Sequence, residues 1–319
     1  MSLGIAHATA GHLHKARELC DEGGHLYIEA HDREGEAFRW MNLAQFDLML
    51  GQLDGVRDGG TRARALHATL GQRAGVAEAD QILGRLLWAE GHLAEADAQL
   101  ETAFTESKGA GEAALVADLA LDRARLAFER ASPTEQARFD EAAAVIPPAS
   151  EERISALFEV LGARRALAAG DLAEAGRRVA AAEQHADKSH APDAQVVARA
   201  VHLDLLRAST APTNDDAGAD DGRAAQVALS GDVSTRLTSL EAVPPAIDAL
   251  LALARSAHGD DAVAFAERAR AMAASHGLVV AEAVARRAVG RARGGAKGAA
   301  EIVAAERDLA KLGAKGAAR

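Results

Sequence analysis

Apolar and small residues return along much of the chain at the spacing of an α-helix. The clearest segment begins at Leu83 and reads LGRLLWAEGHLAEADAQLETAF. Its apolar or small residues recur every three or four positions, both before and after a glycine at Gly91. The chain has no sustained run of alternating β-branched residues, which is the signature of strands. The pattern therefore predicts pairs of helices joined by a sharp glycine turn, and almost no β-structure.

A short phrase, Gly-x-Leu-x-x-small, is repeated at a fixed interval. It occurs at Gly11, Gly51 and Gly91, 40 residues apart each time, and again at Gly170, 79 residues later and so nearly two periods on. A phrase repeated at constant spacing indicates a repeat architecture, since each copy encodes one structural unit. The period predicts about fifteen or sixteen helices in antiparallel pairs.

The repeated unit resembles the tetratricopeptide repeat (TPR). In the third copy Gly84 and Ala96 stand where TPR helices approach closely, and Gly91 stands at the turn. The second copy adds an aromatic residue, Trp40, and its lead-in at 31–37 resembles the linker of a roughly 40-residue variant. That variant occurs in kinesin light chains and in the sensor arms of large bacterial regulators. The resemblance implies an all-α, right-handed solenoid of antiparallel helix pairs with a concave inner face.

Two copies lack the turn phrase. Forty residues after Gly91 the chain has Ala131, and forty after Gly170 it enters the acidic stretch STAPTNDDAGADDG. The distance from Gly170 to Gly259 is nine residues longer than two periods, and the acidic stretch between them contains nothing to bury. We therefore expect a mobile insertion there. An eighth copy is expected within 278–313.

The seventh copy is expected to centre on Gly259 and Ala264. The organisation expected from all copies is repeats one to five with the first helix of repeat six at 1–209, a mobile acidic insertion at 210–222, and the remaining repeats at 223–319. Leu3 and Gly4 align with the middle of a first helix, so we expect the chain to be a piece of a longer protein.

Composition and charge narrow the classes of partner. Apolar residues make up 49% of the 319 residues but aromatics only 3%, which suits small side chains in closely packed helices. The net charge is −11 with both signs interspersed, so we expect no nucleic-acid partner. No apolar run reaches about 18 residues, so we expect no membrane partner. The lone cysteine, Cys20, excludes an intrachain disulfide framework and fits a packed thiol in a reducing cytoplasm.

The chain lacks the short motifs of common enzymes. It has no G-x-x-x-x-G-K-[ST] loop, no H-E-x-x-H helix and no G-x-S-x-G elbow. The acidic residues at 214–222 lack the alternating oxygen ligands and the closing glutamate of a calcium loop. We therefore expect a protein that is not an enzyme and needs no metal or cofactor.

One set of residues is a candidate binding surface. The resemblance to TPR proteins implies that the first helix of each pair faces the groove, and one inward position is Gln45, Arg85, Arg125 and Arg164 in copies two to five. The other inward candidates are Asn42, Gln81, Trp88, Asp122 and Phe128.

Two interpretations of this surface remain open. Stacked arginines could bind the carboxylates of an acidic or C-terminal peptide, while Asn42, Gln45 and Gln81 bind its backbone. Alternatively, the surface is a solvated inner face on which the arginines are balanced by acidic neighbours, namely Asp47, Asp118 and Asp122.

Two functions fit these features. The first is a non-enzymatic protein- or peptide-binding TPR scaffold, as part of a larger bacterial regulatory protein. The second is a ligand-sensing or autoinhibitory arm of a bacterial serine/threonine kinase or signalling-ATPase transcription regulator whose catalytic domain lies outside this chain. The composition, rich in Ala, Arg, Asp and Gly, is typical of GC-rich bacteria. The sequence leaves the partner and the oligomeric state open.

Overall fold

The computed structural model describes residues 2–146, 151–210 and 219–318. Within these ranges the chain forms sixteen α-helices and one short 3-10 helix, and no strand. This confirms the prediction of an all-α fold with fifteen or sixteen helices. None of the helices in these ranges is both long and apolar enough to cross a bilayer.

The first eight helices form the N-terminal half of the array. They are α1 (Ser2–Thr9), α2 (Leu13–Glu29), α3 (Arg33–Met49), α4 (Leu53–Thr69), α5 (Arg73–Ala89), α6 (Leu93–Ala110), α7 (Ala113–Arg130) and α8 (Glu135–Val145).

The other eight follow after 147–150. They are α9 (Glu152–Ala169), α10 (Leu172–Ser189), α11 (Pro192–Ser209), α12 (Ala219–Leu237), α13 (Val243–Ser256), α14 (Gly259–Ser275), α15 (Val279–Arg293) and α16 (Gly295–Leu312), with the 3-10 helix at Lys315–Ala318.

Each helix packs against the next one in the chain. Short turns make the two helices of a pair antiparallel, and successive pairs stack side by side, as in an α-solenoid. In the third pair a Cβ built on Gly84 would lie 2.9 Å from Cδ2 of Leu100, and Ala96 is fully buried. The small residues at these two positions therefore allow α5 and α6 to approach closely, as the sequence predicts.

Most turns are made by a residue in the left-handed backbone region, and these residues recur about every 20 positions. At the turn after α5, for example, Gly91 has φ 84°, and the next N–H, of His92, donates to the carbonyl of Leu87 at 2.8 Å. This is the 6→1 bond of a Schellman motif. Positive φ recurs at Gly11, His31, Gly51, Gly71, Gly91, Gly111, Ala131, Gly170 and His190. The 40-residue period of the sequence is thus two helix-and-turn units.

The seventh copy follows a different register from the one that the sequence suggests. In the earlier copies the second helix begins two residues after the glycine, but α14 begins at Gly259 itself. The position equivalent to Ala96, three residues into the helix, is therefore Ala262, which is 5% exposed. Ala264 is exposed, so the prediction that this copy centres on Ala264 is wrong by two residues.

The superhelix closes on itself, because the last copies contact the turns of the first ones. The Nδ1 atom of His276 lies 3.2 Å from the carbonyl oxygen of Gly51, and the N–H of His14 donates to Glu241 at 2.8 Å. A Cβ at Gly91 would lie 2.9 Å from Cδ2 of Leu312 in the last helix. The C-terminal copies thus cover part of the concave face, which the sequence analysis treats as an open groove.

The insertion expected at 210–222 falls largely on 211–218, which lie outside the described residues. The structure resumes at α12, which begins at Ala219. The prediction that this insertion is the most mobile internal segment stays a prediction.

Candidate functional site

The first helices of the pairs enclose a cavity on the inside of the superhelix. It has a volume of about 330 Å³ and is lined from α3, α5, α7, α9, α11, α13 and α15. It adjoins a second cavity of about 410 Å³, with which it shares Trp88, Arg125, Glu129 and Arg164. We call the two cavities together the inner channel.

The structure brings together most of the residues proposed for the groove. Gln45, Arg85, Trp88, Arg125 and Arg164 all line the inner channel. Phe128 and Asp122 line it as well. The inward positions implied by the TPR resemblance therefore do face a common space.

The other two proposed residues are placed differently. Gln81 is only 3% exposed and donates hydrogen bonds to Asp118 and Asp122 beneath the channel wall, at 2.9 and 2.8 Å. Asn42 does not line either cavity, and its amide donates to the carbonyl of Phe38 on its own helix at 2.8 Å. Neither side chain therefore lines the inner channel.

Arg85 is neutralised by two aspartates of α7. Its Nη2 lies 2.7 Å from Asp118 and its Nε lies 2.6 Å from Asp122. Burial alone would lower the pKa of Arg85, but the two carboxylates outweigh burial and raise it. Asp47, the third acid expected to balance the arginines, instead pairs with Arg17 at 2.5 Å on α2. For Arg85 the structure therefore matches the interpretation of an internally balanced face.

Two other arginines of the channel are also paired, but with acids of later copies. Arg164 lies 3.0 Å from Asp248 on α13, and Arg153 lies 2.6 Å from Asp193 on α11. Opposite charges on stacked helices satisfy each other in a space that water still reaches. These pairs therefore fix copy five relative to copies six and seven.

Arg125 is the exception among the arginines that line the first cavity. Among the described residues its side chain has no ion pair and no hydrogen bond, and its guanidinium stands 5.6 Å from the ring centroid of Trp88. Burial lowers its pKa, and Arg164 and Arg85 add repulsion that Asp122 and Asp248 oppose. Arg125 is partly buried, and a partly buried cation without a hydrogen-bonded anion favours an anionic ligand at this position.

Glu129 lies beside the same tryptophan. It accepts a hydrogen bond of 2.9 Å from the indole nitrogen of Trp88. Burial raises the pKa of Glu129 to about 7, although the bond from Trp88 and the charge of Arg125 act in the opposite direction. The charge at the centre of the channel therefore changes near neutral pH.

The channel holds no arrangement of a nucleophile with an activating base among the described residues that line it. In the same part of the chain no group of three His, Cys, Asp or Glu side chains is placed to hold a metal ion. Cys20 is fully buried beside Ala16, and burial raises the pKa of its thiol. This matches the packed thiol expected from the sequence.

Several residues of the site were missed by reasoning from the sequence. They come from the later copies and from the ends of first helices, namely Glu129, Arg153, Asp193 and Asp248. Asp193 and Asp248 reach the channel because copies six and seven close the superhelix, and no local pattern encodes that contact. Glu129 could have been found from its place one helical turn beyond Arg125 on the same face.

Comparison with known proteins adds no relative on which a function could be based. No protein-family model matches this chain, and no curated protein matches it either. The function must therefore be argued from the residues of the inner channel.

Proposed function

We propose that this chain is a non-enzymatic helical-repeat module of the TPR type that binds a short segment of another protein in its inner channel. As in the sequence analysis, we place it in a larger bacterial regulatory protein. The observation that carries the proposal is Arg125, a guanidinium inside the channel with no carboxylate partner among the described residues, facing the ring of Trp88.

The chemistry of the channel favours an anionic group at Arg125. The neighbouring arginines already hold aspartates, Arg85 with Asp118 and Asp122 and Arg164 with Asp248. Among the described arginines of the first cavity, only Arg125 offers an unused two-pronged donor, which suits the carboxylate of an acidic side chain or of a free C-terminus. The apolar walls, which include Leu157 and Leu251, would bind the adjoining side chain.

The enclosure of the channel favours a short segment. Copies six to eight cover part of the concave face, so a long extended peptide would meet helices α13 and α15. The two cavities, of about 330 and 410 Å³, are in the size range of sites for small ligands. A terminal stretch of a few residues fits this space better than a continuous strand.

The test is a fluorescence titration of Trp88 in a Trp40→Phe chain. Short peptides that end in a free acidic residue should change the emission and bind less tightly at high salt, whereas their C-terminal amides should bind more weakly. Arg125→Ala should reduce the affinity about tenfold or more, as expected for a charged hydrogen bond.

The matched control is Arg177→Ala, which removes an exposed arginine of α10 far from the channel lining and should leave the affinity unchanged. Equal loss in both variants would show that binding follows the overall charge of the protein. Binding that is insensitive to Arg125→Ala would overturn the proposal.

The second candidate is a ligand-sensing or autoinhibitory arm of a bacterial serine/threonine kinase or signalling-ATPase regulator whose catalytic domain lies outside this chain. The enclosed shape of the channel favours it, because such cavities suit small molecules. A thermal-shift screen that compares anionic small molecules with acidic peptides as ligands distinguishes the two candidate functions. Stabilisation by a small molecule that Arg125→Ala abolishes, with no response to peptides, would favour the sensor.

A further inference from the structure

A third cavity, of about 380 Å³, opens beside the second cavity of the inner channel. Its wall is formed by the end of α11, the end of α13, the start of α14 and α15. Four arginines and one histidine line it, namely Arg207, Arg255, Arg287, Arg291 and His258. No acidic residue is among its described lining, although the whole chain carries a net charge of −11. We call this cavity the basic pocket.

Within the described part of the chain, only one of the four arginines has an acidic partner in an ion pair. Arg255 binds Asp204 through two bonds, Nε to Oδ1 and Nη2 to Oδ2, both 2.7 Å long. Arg207 and Arg291 are exposed and make no ion pair with any described residue. The lining of the basic pocket therefore carries more positive charge than its ion pairs within the described chain neutralise.

The buried member of the cluster is Arg287, which is 5% exposed. Its Nη2 donates to the carbonyl of Ala317 at 3.1 Å, but its Nη1 has no acceptor among the described residues. Burial lowers the pKa of Arg287 to about 10; the charges of Arg291 and Arg255 act in the same direction, and the charge of Glu306 opposes them. Because an unpaired buried cation is costly, this arrangement suits a protein whose pocket is filled by an anion.

The start of α14 adds to the positive electrostatic potential of the basic pocket. Ala257, His258 and Gly259 line the pocket, and α14 begins there without a side-chain cap. The first N–H groups of a 17-residue helix have no partner within the helix and carry partial positive charge. Asp260 and Asp261 follow in the first turn, but both are exposed and neither lines the pocket.

We propose that the basic pocket binds a small multivalent anion, of the phosphate or polycarboxylate class, between Arg287 and the free guanidinium groups of Arg207 and Arg291. Planar guanidinium groups bind the oxygens of such anions through paired hydrogen bonds, and three of them converge here. The four arginines of the basic pocket also line the second cavity of the inner channel, as Arg125 does, so the Arg207→Ala and Arg291→Ala variants distinguish this site from the one at Arg125.

The test uses isothermal titration of the full chain with inorganic phosphate, pyrophosphate and citrate at constant ionic strength. We expect saturable binding of at least one of these anions together with an increase in Tm. Arg207→Ala and Arg291→Ala remove exposed, unpaired side chains, so both variants should fold, and each should weaken binding at least tenfold. The matched control is Arg268→Ala, an exposed arginine of α14 outside the pocket lining, which should bind as the wild type does.

The three probes also assign the ligand class. Binding of phosphate and pyrophosphate without citrate assigns a phosphate ester, and binding of citrate alone assigns a polycarboxylate. The absence of saturable binding for all three would overturn the proposal. So would binding that Arg207→Ala and Arg291→Ala leave unchanged.

Discussion

The indole nitrogen of Trp88 donates a hydrogen bond of 2.9 Å to Glu129 across two successive first helices, α5 and α7. The bond holds a titratable carboxyl group against the side chain that faces Arg125. Any change in the charge of Glu129 therefore acts directly on the cation that we propose as the anchor of the ligand. This relationship makes the inner channel sensitive to pH.

The contribution of Glu129 to the stability of the fold should fall as the pH rises from about 4.5 to 7. The pKa of Glu129 is raised from 4.5 to about 7 in the folded chain, so between these values the folded state holds a proton that the unfolded state has lost. The unfolded state binds fewer protons, and the free energy of unfolding therefore decreases with pH in this window and levels off above it. Glu129→Gln should remove this part of the decrease.

The measurement is the Tm at pH 5 and pH 8 for the wild type, Glu129→Gln and a control, Glu22→Gln, which removes an exposed carboxyl group of α2. The change in Tm between the two pH values for the wild type, minus the same change for Glu129→Gln, gives the contribution of Glu129. In the Trp40→Phe chain the emission of Trp88 should change with a midpoint near pH 7. Identical pH profiles for all three proteins would contradict the assignment.

Closure of the superhelix can be tested with two glycines in the same backbone conformation. Gly91 and Gly111 have φ 84° and 80°, but only Gly91 contacts the last copy, through Leu312 and Val279. Leucine at either position should cost about 1–2 kcal/mol because of the left-handed backbone. Gly91→Leu should cost more than Gly111→Leu, since it also displaces the C-terminal helix.

The two leucine variants are compared by urea unfolding and by limited proteolysis. Gly91→Leu should make the segment after α14 easier to cleave, whereas Gly111→Leu should not. Equal stability losses and equal cleavage would show that the contact of Gly91 with Leu312 contributes nothing to closure.

The packing of the third pair predicts a contrast within one helix. Ala96 is fully buried between α5 and α6, whereas Ala98 on the same helix is exposed. Ala96→Leu should lower the free energy of unfolding by about 1–3 kcal/mol through overpacking. Ala98→Leu should change it by less than about 0.5 kcal/mol. An unchanged Tm for Ala96→Leu would remove Ala96 from the interface between the two helices.

The seventh copy offers a similar pair of alanines on α14, one buried and one exposed. The buried one is not the one that the sequence suggests. Ala262 is 5% exposed and Ala264 is exposed. Leucine at Ala262 should therefore destabilise the protein by about 1–3 kcal/mol, while leucine at Ala264 should be tolerated. If chemical denaturation shows a larger loss in the free energy of unfolding for Ala264→Leu than for Ala262→Leu, the register predicted from Gly259 is correct after all.

The sequence was sufficient for what depends on local pattern. The helix pairs, the turn at Gly91 and the close approach at Ala96 follow from spacing and residue size, which act within about 20 residues. The left-handed turns at His31 and Ala131 were harder to find because neither residue is a glycine. Both turns are closed by the same kind of backbone hydrogen bond that closes the glycine turns.

The candidate site was predicted only in part, because half of it is formed by distant copies. Gln45, Arg85, Arg125 and Arg164 share one inward position of the repeat, and the structure places all of them in one channel. Asp248 reaches the channel, and α13 and α15 cover it, only when the superhelix closes. The sum of many small rotations between pairs decides that closure, and no single residue encodes it.

Arg85 and Arg125 should respond to truncation in opposite ways, although they hold the same inward position in neighbouring copies. Arg85→Ala leaves Asp122, which is 1% exposed, and Asp118 without their counter-charge. Removing one partner of a buried ion pair typically costs about 3 kcal/mol or more. Arg125→Ala removes a cation that has no ion pair in the described chain, so the free energy of unfolding should stay the same or rise.

Urea unfolding of both single variants at low salt measures the difference directly. The control is Arg164→Ala, which breaks a pair with Asp248 that is about one third exposed and should give a smaller loss than Arg85→Ala. If Arg125→Ala destabilises the fold as much as Arg85→Ala, then Arg125 is held by the protein itself and is not available to a ligand. A stable Arg125→Ala protein that no longer binds acidic peptides would separate binding from folding at this position.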